Sequence, residues 1–76
     1  MKKEYQESYT RKEIADRLTH AADFMSSKSD ELRALGREEA VCSSWSDMSL
    51  AAMCMIAELC GPDYLPEDMK EIYNDQ

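Results

Sequence analysis

The stretch SLAAMCMIAELC, Ser49 to Cys60, carries a single charge in twelve residues, within a 76-residue chain of formal net charge −7. An α-helix turns by about 100° per residue. On that wheel, residues 47–60 place Leu50, Met53, Cys54, Ala57 and Cys60 on one side. Met48, Ala52, Met55, Ile56 and Leu59 fall on the other. Only a narrow line through Asp47, Ala51 and Glu58 is polar. A helix apolar nearly all round is one that other structure covers. The segment therefore reads as the central helix of the fold, with neighbours on both sides or a second subunit on one. Gly61-Pro62 ends it, since glycine suits the position after a helix and proline cannot continue one.

Outward from this segment the reading stays helical. β-Branched residues are scarce, no run alternates with period two, and the two prolines lie close together. TRKE, Thr10 to Glu13, is a capping box that starts a first helix. Its apolar stripe is Ile14, Leu18, Ala21 and Met25, and its expected end is the polar run SSKSD, Ser26 to Asp30. A second segment, ELRALGREEAVCSSW, sets Leu32, Leu35 and Cys42 on one face. Gly36 costs it about 1 kcal/mol relative to alanine and bends or ends it. A last helix opens at Pro66, with Glu67 and Asp68 at the positive end of its dipole and Met69, Ile72 and Tyr73 turned inward. The expected fold class is all-α, a compact bundle of three to four short helices around the central apolar one. It forms one domain over residues 1–76, with residues 1–9 a flexible N-terminal segment. A chain this small buries only about 60% of its unfolded surface, so support from a second copy, a homodimer, fits its size.

Charge divides the chain. Residues 1–37 hold eight Lys/Arg against seven Asp/Glu, whereas residues 38–76 hold Lys70 alone against nine acids. Such a half repels phosphate, so direct nucleic-acid binding is not expected, and a protein with a basic surface is the natural complement. Glu67, Glu71 and Asp75 recur every four residues, about 6 Å apart along a helix, near the phosphate spacing of a nucleic-acid strand. Like charges at that spacing destabilise a helix by about 0.2–0.5 kcal/mol per pair, so local stability does not account for them. The candidate partner-binding residues are thus Glu67, Asp68, Glu71 and Asp75, extended by Glu38, Glu39 and Asp47 where the fold brings them near. No run approaches the roughly 18 apolar residues of a membrane span, and MKKEYQESYT lacks the apolar core of a secretory signal. A cytoplasmic protein without membrane contact is expected.

The residues that could carry chemistry have simpler readings. Cys54 and Cys60 lie about 120° apart on a helix, which prevents both from holding one ion, and no CxxC occurs. The three cysteines read as small buried hydrophobes. His20 shares a face with Asp16 and Asp23 but has no nucleophile or further ligand nearby in sequence. Met48, Met53, Met55 and Met69 suit a core or an adaptable docking surface. No enzyme, cofactor or metal site is expected.

Two resemblances bear on function. TRKEIADRL, Thr10 to Leu18, resembles the opening of a helix-turn-helix unit, whose E-I-A-x-x-L pattern packs the first helix on the recognition helix. Beyond those nine residues THAADFM continues the helix where that family turns. In size, charge and absence of catalytic motifs the chain looks like the small phage-encoded inhibitors, anti-CRISPR proteins among them. That likeness is one of type and transfers no site residues. The expected function is a small acidic interaction module that inhibits a target by covering its basic, nucleic-acid-binding surface, as a nucleic-acid mimic would. The alternatives are an assembly protein that homo-oligomerises through its apolar helix and a small helical transcription-associated regulator.

Overall fold

Polar side chains set the register of the molecule. In the computed structural model, which describes the backbone of residues 7–74 and the side chains of 7–70, two long helices run antiparallel. They are α1, Arg11–Ala34, and α2, Glu39–Leu59. A single 3-10 turn, Pro62–Tyr64, and a short α3, Glu67–Asn74, follow at the far end of α2. The Ser29 hydroxyl, 1% exposed, donates to the Cys42 carbonyl at 2.8 Å and shares a 2.8 Å hydrogen bond with Ser46. Midway along both helices, Ser49 donates to the Ala22 carbonyl at 2.8 Å. At the open end the Cys60 thiol points to the Arg11 carbonyl at 3.2 Å. These bonds join side chain to backbone between helices, so the two backbones must approach closely. The residues of α1 at the seam allow it: Ala15, Ala22 and Ser29 recur every seven residues, and all are small and buried.

The all-α class holds, but the division into elements differs from the sequence expectation. SSKSD does not end the first helix, because it contains neither glycine nor proline and Ser29 spends its hydroxyl on α2 rather than on its own backbone. The helix runs on to Ala34. Gly36, at φ 74°, then forms a Schellman stop: its N–H donates to Arg33 at 3.0 Å and the Arg37 N–H to Leu32 at 3.0 Å. Residues 39–59 form one continuous helix, so the separate second segment does not exist as an element. Leu35, expected on an inward face, is 68% exposed at this turn. The start of α1 is as expected: the Glu13 N–H donates to Thr10 Oγ1 at 3.1 Å and the Thr10 N–H to Glu13 Oε1 at 3.0 Å. Residues 1–6 of the expected flexible segment lie outside the described residues. Of residues 7–9, Tyr9 lies beneath the Arg17 guanidinium, 5.1 Å from its ring centre.

The core is small and sits at the end away from the turn. Ala15, Ile56, Ala57, Cys60 and Leu65 form it, with Ile14, Leu18, Met53 and Met69 packed around them. Leu65 and Met69 bring the chain after Gly61 back over the flank of α2 that carries Met53 and Ala57. Ile72 and Tyr73 lie outside the residues whose side chains are described. α2 is therefore not a central helix enclosed on both sides. It is about 30 Å long and packs along one side on α1, while Met48, Leu50, Cys54, Met55 and Leu59 stay exposed. Among the described residues, α1 and the segment after Gly61 are what cover it.

Two outcomes are expected. Ile56, fully buried, cannot accept an unpaired carboxylate without a cost of several kcal/mol. Ile56→Asp should abolish cooperative thermal melting followed by circular dichroism, and an unchanged melting temperature would refute its place in the core. Cys42 and Cys60 are buried and Cys54 is exposed, against the expectation that all three are covered. A thiol reagent should label one cysteine quickly in the native protein, Cys54, and the other two only in denaturant.

Candidate interaction surface

The acidic residues singled out in the sequence do not gather into one patch. Glu38 and Glu39 stand at the start of α2, beside the turn, whereas Glu67 and Asp68 follow the opposite end of that helix. The two groups thus belong to opposite ends of α2. Asp47 lies between them on the exposed outer edge of α2, with Glu58 on the same edge about 16 Å further along. Glu71 belongs to α3, but its side chain is not among those described, and Asp75 lies outside the described residues.

Partners also distinguish these carboxylates. Glu39 accepts from Arg33 at 2.9 Å across the turn, and that hydrogen bond, with the guanidinium charge, holds its carboxyl below the usual range. Glu67 meets Lys70 at 3.4 Å. Both pairs are well exposed, a setting in which ion pairs contribute little. Among the described residues, Glu38, Asp47, Glu58, Asp63 and Asp68 have no ion pair. On α1, Asp16 is bonded to Lys12 at 2.9 Å and Glu31 lies 3.6 Å from Lys28, while Asp23 and Asp30 have no ion pair. The Asp16 contact draws that carboxylate to Lys12 rather than to His20. No group of three metal-ligating side chains occurs among the described residues.

The second feature is an open apolar face, which sequence reasoning did not resolve. With the seam of α2 directed at α1, Val41, Met48, Met55 and Leu59 fall within about 40° of one another, a quarter turn from the seam. Met48, Met55 and Leu59 are 43%, 52% and 60% exposed. The matching flank of α1 carries Ile14, Ala21 and Met25, with Arg17, Phe24 and Lys28 at its outer border. Phe24 meets Trp45 edge-on, ring centres 6.2 Å apart. Arg17, His20, Ala21, Phe24, Met25 and Trp45 line an open hollow of about 440 Å³. The opposite face of the pair differs. There α1 presents Thr19, Asp23, Ser26 and Asp30, and the chain after Gly61 covers part of α2. The α2 half of the apolar stripe was legible on the wheel; its union with Phe24 and Trp45 required the antiparallel register.

α2 also has the length and apolar composition of a helix able to cross a membrane, and little of it is buried within the described residues. The expectation that no segment reaches this threshold is thereby corrected. Asp47 falls within the span, where a carboxylate at the bilayer centre costs about 2.5–3.5 kcal/mol on insertion scales. Four serines besides accompany it in the same helix: Ser43, Ser44, Ser46 and Ser49. Comparison with protein-family models, curated proteins and solved structures returns no match to this chain.

Proposed function

We propose that the chain is a small acidic protein-interaction module of the cytoplasm, a non-enzyme that inhibits a target by covering a basic surface which would otherwise hold nucleic acid. This is the mode of action implied by its likeness in type to phage-encoded inhibitors such as anti-CRISPR proteins. The observation that carries the reading is the row of exposed carboxylates without cations in the second half: Asp47 on α2, then Asp63 and Asp68 beyond it. The first half balances its acids with nearly equal numbers of Lys and Arg, whereas Lys70 is the single cation of residues 38–76. Carboxylates left unneutralised at a surface raise a negative potential that steers a basic partner and speeds its association. The continuity of α1 adds support from another side, because TRKEIADRL opens a 24-residue helix rather than a helix-turn-helix.

The test removes charge without changing shape. Asp47→Asn, Asp63→Asn and Asp68→Asn together should leave the helical content unchanged, since none of the three is buried. Against the target recovered by affinity capture from the native host, the association rate should fall about tenfold or more at low salt, as expected when electrostatic steering is lost. Salt should slow the wild type more than the variant, because screening acts on the charges the variant lacks. Equal rates and equal salt slopes would reject the acidic surface as the means of binding.

A further inference from the structure

A pair of helices is one layer, and a stable domain needs two. Here the polar face is partly roofed by the chain after Gly61, and no described residue roofs the apolar face. We propose that a second copy of this chain covers that face, related by a twofold axis parallel to the helices. The result is an antiparallel four-helix bundle in which α1 of each copy lies over α2 of the other.

Three observations select this occupant and arrangement. The first is area. The face is about 30 Å long and two helix diameters, about 20 Å, wide. Its flat projection of about 600 Å² is the scale of a standard interface, which buries about 800 Å² of accessible surface per partner. The second is shape. A twofold axis along the helices keeps every residue at its own height. The Ser49–Ala22 and Ser29–Cys42 bonds put Met48 level with Asp23. That is the height of the hollow between Arg17, His20, Phe24 and Trp45, so Met48 of each copy enters the hollow of the other. The third is charge. Among the described residues Arg17 has no carboxylate partner; its contact is with the Tyr9 ring. Glu58 has no cation. By the same register Arg17 is level with Cys54, one turn from Glu58, and side chains lean toward the start of their own helix, so Arg17 and Glu58 of opposite copies converge. The axis perpendicular to the helices would instead stack α1 on α1 and set Arg17 and Lys28 against their own kind.

Sedimentation velocity on the full chain decides the matter. The wild type should sediment with twice the 8.7 kDa mass of the chain at tens of micromolar and dissociate on dilution. Met48→Glu and Met55→Glu should each raise the dissociation constant about 100-fold or more, as an unpaired buried carboxylate would. Leu50→Glu, an equally exposed position on the opposite face, should leave it unchanged. Arg17→Glu and Glu58→Arg should each weaken the dimer, and the double variant should recover at least part of the loss. A wild type that stays monomeric at hundreds of micromolar overturns the proposal whether or not any variant folds. A dimer broken by Leu50→Glu but not by Met55→Glu overturns the choice of face. Failure of the double charge reversal to recover either single loss overturns the arrangement of α1 over α2. None of these outcomes bears on the salt series with the target, which reads the acidic edge alone.

Discussion

The close approach of α1 and α2 is the constraint on which everything else depends. It exists because Ala15, Ala22 and Ser29 present almost no side chain at the seam, so serine hydroxyls reach carbonyls of the facing helix. Each such bond satisfies a polar group that burial would otherwise leave unpaired, at a cost of roughly 1–3 kcal/mol. The same bonds fix rotation and register together. A quarter turn of α2 about its axis would remove Ser46 and Ser49 from reach and carry Met48, Met55 and Leu59 to the seam, where the small residues of α1 leave no room. The exposed methionine face follows from the serine seam.

This explains why the apolar helix was legible and its surroundings were not. Hydrophobicity around Ser49–Cys60 correctly marked a helix bounded by Gly61, and Thr10 with Glu13 marked the start of α1 to the residue. What the wheel could not supply was the number of neighbours. An all-round apolar pattern calls for cover, and here the cover within the chain is one helix and a short return segment. Ser26 to Asp30 misled for a related reason. A run of serines reads as a break when the hydroxyls bond their own backbone, but Ser29 bonds the opposite helix. The acidic residues were visible as a charge imbalance; their division between the two ends of α2 depended on that helix being 21 residues long and unbroken.

The molecule consequently presents two kinds of surface that differ in physics as well as position. The outer edge of α2 and the segment after Gly61 carry carboxylates without cations, which act over distance and weaken with salt. The methionine face acts only on contact and is indifferent to salt. Methionine suits it, since an unbranched thioether fills irregular gaps and tolerates imperfect fit. A chain of this size can therefore use different faces for cohesion and for recognition.

The core and the turn lie at opposite ends of the hairpin, and this separates what forms first from what holds. Contacts beside Gly36 span few residues, so the Arg33–Glu39 pair and the Ser29 bonds close small loops, and short loops close at low entropic cost. They bury little apolar surface. The contacts that bury most, around Ile56, Cys60 and Leu65, join positions up to 49 residues apart. Zipping from the turn is thus nearly neutral in free energy until the last heptad of the seam docks. Native-state hydrogen exchange should read this as a gradient, with amides flanking Gly36 opening through small fluctuations and those around Ala15 and Ile56 exchanging only when the whole pair of helices separates.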